Sequence, residues 1–292
     1  MASKGAEMIS NYMINGELVP VEEAQISVLD LGLLRGYGIF DFFPFENSRL
    51  VFIQDYLDRF FASATKMQLE PPDDRQALLA NIMKVIRSNG QPNGYIRLVL
   101  TGGDSADGYS PVVNNLYILQ YDPIYYDSAM YDKGVKLTLQ RFNRERPDVK
   151  TLNYANPLRH RDLIREVGAM DVLYHDGRCV HETSRANFFI VDSKQRIHSS
   201  PNTVLQGITR LHVLKVASRH YEIINSPVEL SAVVYAHEAF ITSTTKGVLS
   251  VTQIDDLIIG KGKPGPVTRK IADMFQDYLR NHLESGSLAP MA

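Results

Sequence analysis

Two α/β domains with mixed sheets are what the order of elements along this chain predicts. Three observations lead there. Through residues 1–122, short strand-like apolar runs alternate with longer runs of helical spacing. An irregular stretch with proline at its start, "PIYYDSAMYD" at 123–132, then interrupts the pattern. Beyond it, strands and helices alternate again, and 292 residues are ample for two cores. The expected division is an N-terminal domain over 1–122, a connection over 123–132 and a C-terminal domain over 133–292.

In the first part, "NYMING" followed by "ELVP" predicts a hairpin turning at Asn15-Gly16, a strong short-range turn signal. "YGIFDFFPFENSRLVFI" predicts a second strand pair turning at Glu46-Asn47-Ser48. "DYLDRFFASATKM" spaces Tyr56, Phe60, Phe61 and Ala64 as on a helix, with Gln54 or Asp55 near its start. "DRQALLANIMKVIRSN" predicts a second amphipathic helix closed by Gly90. "GYIRLVLTGG" and "NLYILQYDP" read as paired strands around the loop "GGDSADGYSP".

In the second part, a strand "GVKLTLQRF" precedes a helix "RHRDLIREVGA" and the strands "MDVLYHDG" and "NFFIVDS". The helix "TRLHVLKVASRHY", the strand "EAFITSTT" and a last helix "VTRKIADMFQDYLRNHL" follow, with no internal repeat.

Composition restricts the function classes. A net charge of -2 with interspersed signs argues against a dedicated nucleic-acid surface. No apolar run is long enough to span a bilayer, and the first residues lack a signal-peptide core. The single cysteine, Cys179, excludes an internal disulfide and a cysteine-cluster metal site, and fits a reducing, cytoplasmic setting. The histidines show no metal-ligand spacing, so no metal is expected.

Several segments carry residues suited to chemistry. In "VKTLNYANP", Lys150 stands between a charged loop and a helix-like stretch, where it reads either as a surface lysine or as a reactive amine. "QGITRLHVLKV" puts Gly207, Ile208 and Thr209 at a helix start, where backbone N–H groups favour an anion. "ITSTTKG" supplies Thr242, Ser243, Thr244 and Thr245 beside a strand end. Arg59 lies on the polar edge of a helix, and Glu182 precedes a strand. Each alone also reads as an ordinary cap or surface residue. "GKGKPGPVT" lacks the end and the preceding strand of a phosphate loop and reads as a lead into the last helix. Together the first five make one proposal. Pyridoxal phosphate needs an amine for its aldehyde, a partner for its ring nitrogen and donors for its phosphate. Lys150 supplies the first, Glu182 the second, and Arg59, Ile208, Thr209 and Thr244 the third.

The chain resembles the fold-type IV pyridoxal-phosphate enzymes, the class IV aminotransferases, over nearly its whole length. The stretches that carry the resemblance are "ISVLDLGLLRGYGIFD", "YLDRFFASATKM", "GYIRLVLTGG", "VKTLNYANPL", "ETSRANFFIV", "LQGITR", "TSTTKGVLSVTQID" and "GKPGPVTRKI". The family's cofactor-bearing lysine falls on Lys150, with the following Asn-Tyr at Asn153-Tyr154. Its ring-nitrogen glutamate falls on Glu182, with Asn187 five residues later. Its phosphate ligands fall on Arg59, Ile208, Thr209 and Thr244, flanked by Gly207 and Ser243. The resemblance implies a small N-terminal α/β domain, a larger C-terminal domain with a pseudo-barrel sheet, the cofactor in the cleft between them, and a homodimer.

Among the family's activities, this chain is most similar to the branched-chain transaminases, which carry Tyr-x-Arg where it has Tyr95-Ile96-Arg97. The resemblance implies that Tyr95 and the amides near Thr244 and Thr245 grip a substrate carboxylate, and that Phe40 lines an apolar pocket. Substrates are then small aliphatic amino acids and 2-oxo acids such as 2-oxoglutarate. The D-amino-acid transaminases place Arg and His in the loop where this chain has Ala106 and Gly108, and Asp107 there opposes a carboxylate. The aminodeoxychorismate lyases resemble it at "DGYSP" but carry a threonine-bearing run where it has Phe40-Asp41-Phe42. Pro44, Thr183 and Ser250 depart from the branched-chain pattern, so the lyase, D-amino-acid and amine-transaminase activities are the alternatives.

Overall fold

Asn15 and Gly16 take the positive φ values, 50° and 86°, that a tight hairpin demands, and with this turn the N-terminal sheet begins. The computed structural model describes residues 9–285, which divide into two compact units. The first holds the described residues up to Ile124 together with Val149–Asn153, and the second holds Tyr125–Asp148 and Tyr154–Glu284.

The first unit contains β1 (Asn11–Ile14), β2 (Glu17–Pro20), α1 (Leu31–Arg35), β3 (Gly38–Glu46) and β4 (Arg49–Leu50). It continues with α2 (Ile53–Lys66), α3 (Arg75–Asn89), β5 (Gly94–Thr101) and β6 (Asn115–Tyr121). The strands form one antiparallel sheet in the order β2-β1-β6-β5-β3-β4. Alternation decides its faces. Ile39, Asp41, Phe43 and Phe45 of β3 are buried, as are Ile96, Leu98 and Leu100 of β5, while the residues between them are half-buried. Helix α2 packs on β3 through contacts such as Phe43 with Tyr56, whose ring centroids are 5.2 Å apart. It starts at Ile53, with Phe52 as its cap and no side-chain capping bond, slightly ahead of the expected Gln54 or Asp55. Gly90 closes α3 at φ 70°, as its position predicts.

The second unit contains α4 (Ala129–Lys133), β7 (Val135–Arg141), α5 (Ala155–Arg159), α6 (Arg161–Glu166), β8 (Asp171–His175), β9 (Cys179–Thr183), β10 (Asn187–Val191) and β11 (Ile197–Ser199). Then follow α7 (Ile208–Ala217), β12 (Ile223–Asn225), β13 (Val228–Glu229), α8 (Leu230–Val234), β14 (Glu238–Ser243), β15 (Gly247–Ile254), β16 (Leu257–Ile258) and α9 (Pro266–Glu284). The main sheet runs β12-β11-β10-β14-β15-β7-β8-β9-β13, and a further pairing of β9 with β10 closes it on itself. The closed part is the expected pseudo-barrel, filled by Leu173, Val180, Phe188, Ile190, Ile241 and Leu249. The helix expected over "RHRDLIREVGA" forms as α6, and His160 separates it from the short helix α5 that precedes it. Among the described residues, no helix is long and apolar enough to cross a membrane.

Candidate active site

The second unit carries its candidate residues around the seam of the barrel. Glu182 lies inside β9, not ahead of a strand as its sequence context suggests, and is only 4% exposed. Its Oε1 accepts from the Arg144 guanidinium at 2.9 Å, and its Oε2 accepts from Asn187 Nδ2 at 3.2 Å and from the Leu205 amide at 3.0 Å. A carboxylate with a guanidinium and two neutral donors on its oxygens is fixed in place. The Arg210 side chain lies in the same field: burial lowers its pKa, and the charge of Glu182 opposes that shift.

Asn187 connects this carboxylate to the start of α7. Its Nδ2 also donates to the Leu205 carbonyl at 2.7 Å. A Cβ on Gly207 would come within 2.2 Å of Asn187 Oδ1, so only glycine allows this approach. Gly207 is the N-cap of α7, and no side chain caps the helix. Ile208, Thr209 and Arg210, which begin it, are all buried. A buried helix start without a side-chain cap presents N–H donors at the positive end of a dipole.

On the other edge of β10, Asn187 is in register with Thr242 of β14. Thr242 Oγ1 and Ser243 Oγ are buried without a hydrogen-bond partner in the structure. Thr244 and Thr245 occupy the turn into β15, where Thr245 Oγ1 lies 3.1 Å from the Tyr126 hydroxyl. Tyr154 caps the start of α5 near Tyr174, whose pKa is raised first by burial and then by Asp171, with Tyr154 and Glu182 adding and Arg144 opposing.

The first unit carries Lys150. Its segment, distant in sequence, pairs with the edge of β3: the Phe40 amide donates to the Lys150 carbonyl at 2.9 Å, and the Leu152 amide to the Gly38 carbonyl at 3.0 Å. The Lys150 ammonium then sits 4.5 Å from the centroid of the Phe40 ring. The same half-buried face of the sheet carries Arg97, whose guanidinium carbon lies 5.4 Å from the Phe40 ring, 5.3 Å from Phe42 and 5.0 Å from Tyr121. Arg97 Nε is buried without a hydrogen-bond partner in the structure. Tyr95 stacks on Phe42 at 4.9 Å. Phe40, Lys150, Arg97 and Tyr95 are therefore brought together on one aromatic surface.

Arg59 is held differently. It makes a two-pronged pair with Asp41, Nε to Oδ2 at 3.0 Å and Nη2 to Oδ1 at 2.5 Å, on the face that α2 covers. Asp41 is 1% exposed. The motif reading passed over both Asp41 and Arg144. A signal for Asp41 was available, since it occupies an inward position of β3 between Ile39 and Phe43. Arg144 lies in a loop of mixed charge, and only the fold selects it from its neighbours.

The family model for amino-transferase class IV matches residues 38–254, most of the chain. This chain belongs to the class IV aminotransferases. Class IV aminotransferases are pyridoxal-phosphate enzymes, and so is this transaminase. The aminotransferase is 28% identical over 274 residues to a putative branched-chain-amino-acid aminotransferase of Methanocaldococcus jannaschii, covering 90% of this chain and 94% of that one. It is also 28% identical over 287 residues to the D-alanine aminotransferase of Staphylococcus aureus (strain N315), covering 94% and 99%. Among solved structures, the T.th. branched-chain amino acid aminotransferase with pyridoxamine 5'-phosphate superposes with a TM-score of 0.86 at 26% identity, over 95% of this chain and 96% of that one. The residues present fit the cofactor: a buried fixed carboxylate suits a protonated ring nitrogen, and the uncapped start of α7 with the unpartnered hydroxyl of Ser243 suits a phosphate.

Proposed function

We propose that this aminotransferase moves an amino group from small aliphatic, branched-chain L-amino acids to a 2-oxo acid such as 2-oxoglutarate. The observation that carries this reading is the aromatic surface around Lys150, where Phe40, Phe42 and Tyr121 surround one guanidinium, that of Arg97, and Tyr95 stacks on Phe42. Aromatic walls suit an aliphatic side chain. A partly desolvated guanidinium with an unused Nε suits a carboxylate, which 2-oxoglutarate has to spare. A panel of L-amino donors assayed with 2-oxoglutarate tests it, and inactivity of leucine, isoleucine and valine would overturn it.

Pyridoxal phosphate supplies, when bound, an electron sink for the pair released as the substrate Cα–H bond breaks. In this reading Lys150 would hold the cofactor and would carry the proton at the substrate Cα. Glu182 would keep a proton at the ring nitrogen, and Arg144, Asn187 and the Leu205 amide hold the Glu182 carboxylate still. The amides of Ile208 and Thr209, next to Gly207, and the hydroxyls of Ser243 and Thr244 would hold the phosphate, with Arg59 as its cation. Tyr154 would help to hold the cofactor. Tyr95 and Thr245 receive the substrate carboxylate.

A homodimer is part of the proposal. Val28 and Leu33, at 74% and 56% exposed, and Tyr109, Val112 and Val113, at 82%, 78% and 70%, leave a large apolar area uncovered. The two segments are joined by the Arg35 Nε bond to the Gly108 carbonyl at 3.0 Å. Light scattering at micromolar concentration checks this, and a monomer would remove it.

A D-amino-acid activity is the second reading, favoured by the likeness to a D-alanine aminotransferase, which matches that to the branched-chain relative. The lyase activity is separated by one observation: conversion of the bound cofactor to its amino form by an L-amino acid alone marks a transaminase.

A further inference from the structure

Lys246 stands in the turn between β14 and β15, where its amide donates to the Ser243 carbonyl at 3.3 Å. Its side chain is drawn inward, and the residue is only 9% exposed. Lysines are seldom buried to this extent unless an anion meets them, because an ammonium is costly to take out of water. Among the described residues, no carboxylate pairs with Lys246. Its Nζ lies instead 4.9 Å from the centroid of the Tyr126 ring, and the Tyr131 hydroxyl donates to its backbone carbonyl at 3.2 Å. The Tyr126 hydroxyl in turn meets Thr245 Oγ1 at 3.1 Å.

The surroundings are electropositive. Burial would raise the pKa of Tyr126, yet the Thr245 hydroxyl and the charges of Lys246 and Arg185 outweigh burial, and the net shift is downward. Arg185 is itself 60% exposed and 3.9 Å from Asp171, too far for a tight pair. An ammonium held by an aromatic face, beside a hydroxyl pair and a second cation, has the form of an anion receptor.

We infer that Lys246, oriented by Tyr126, is a specificity-determining residue that receives the α-carboxylate of the amino acid beside Thr245. The inference rests on the proposed reading, in which Thr245 faces that carboxylate, and deepens it by adding a charge. Amino donor and oxo acceptor share this carboxylate, so one cation serves both halves of the reaction. An amine without a carboxylate makes no use of it.

Calorimetry on the holoenzyme tests this with isovalerate and its neutral amide, isovaleramide, as probes. Lys246→Met should weaken isovalerate tenfold or more, while the amide shifts by less than twofold. Lys246→Arg should restore most of the acid's affinity, since it keeps the charge. Tyr126→Phe keeps the ring under the ammonium and removes the hydroxyl, so its loss should be intermediate. Equal shifts of acid and amide in Lys246→Met, or an unchanged acid, would overturn the inference, as would a loss confined to cofactor affinity. Failure of the parent to transaminate any amino acid would instead strike the proposed function, because acid and amide binding are measured without turnover.

Discussion

Glu182 and Asn187 face each other where β9 meets β10, and the Asn187 amide donates to the Glu182 carboxylate at 3.2 Å. This pair is also the register contact that closes the barrel. One contact therefore serves the fold and the candidate site together. Its position explains how a carboxylate only 4% exposed keeps its orientation: both oxygens are bonded, and the strand that carries it is buried throughout.

Glu182→Gln should still fold and bind cofactor, because the amide replaces the carboxylate nearly isosterically. Without its charge the ring nitrogen loses its proton, and turnover should fall on the order of 100-fold or more. Single-turnover kinetics with saturating cofactor measures this. A rate equal to the parent's removes Glu182 from the role proposed.

Gly207→Ala isolates the close approach at the start of α7. The φ of Gly207 is -65°, open to any residue, so the penalty is steric: the new Cβ meets Asn187 Oδ1 at 2.2 Å. Overpacking of this kind costs about 1–3 kcal/mol. Equilibrium dialysis should show weaker cofactor binding, and thermal melts of the apoprotein a lower midpoint. A variant indistinguishable from the parent in both would mean that Asn187 moves freely.

The Arg59–Asp41 pair separates a stability effect from a binding effect. Arg59→Ala leaves Asp41, 1% exposed, without its guanidinium, and breaking a buried pair costs about 3–5 kcal/mol. The apoprotein should melt earlier as well as bind cofactor less tightly. Removing the phosphate contact alone predicts no change in the apoprotein melt. Thr244→Ala should cost only about 0.5–1.5 kcal/mol, and that in cofactor affinity.

Much of this was legible in the sequence, for physical reasons that differ by element. The turn at Asn15-Gly16 and the cap at Gly90 follow from local backbone chemistry, so reading them needs no tertiary contacts. Strands β9 and β15 were missed as strands because they are buried on both faces, and "CVHET" and "GVLSVTQI" lack the alternation that marks a half-exposed strand. The placement of Val149–Asn153 with the first unit follows from bonds between Lys150 and Phe40, over a hundred residues apart, which no local pattern announces. Asp41 is legible as a polar residue at an inward position of β3, whereas Arg144 is chosen by its partner Glu182 and so emerges only with the fold.

Acid sensitivity has a local origin at Asp192. Its partial burial would raise its pKa, but the Arg196 amide, His198, the Arg196 guanidinium and the Lys194 amide outweigh that and lower it. A depressed folded-state pKa gives stability that is full above the unfolded value, about 3.9, and lost as pH falls through the folded value. Asp192→Asn should therefore lower stability at neutral pH and flatten its decline below about pH 4. Urea melts between about pH 3 and about pH 7, on both sides of the unfolded carboxyl pKa, check the slope, and parallel curves would exclude Asp192 as a contributor.

Cofactor attachment and substrate handedness can be tested in sequence. Borohydride reduction followed by peptide mapping should place the pyridoxyl adduct on Lys150, the lysine whose amine lies over Phe40. With attachment established, the side-chain pocket is probed by competing donors. Apolar pockets separate neighbours by only about 1–3 kcal/mol per methylene, so leucine, isoleucine and valine should all react. Tyr95→Phe should raise KM for the three together if, as proposed, its hydroxyl receives the carboxylate they share. D-alanine should be poor: Asp107, in the loop at 102–111, keeps its charge, with its carboxylate bonded by Ser110, Tyr109 and Ser105, and offers no cation to a D-substrate. If D-alanine outpaces L-leucine and L-isoleucine with 2-oxoglutarate, the branched-chain reading gives way to the D-amino-acid one, and the Lys150 adduct stands in either case.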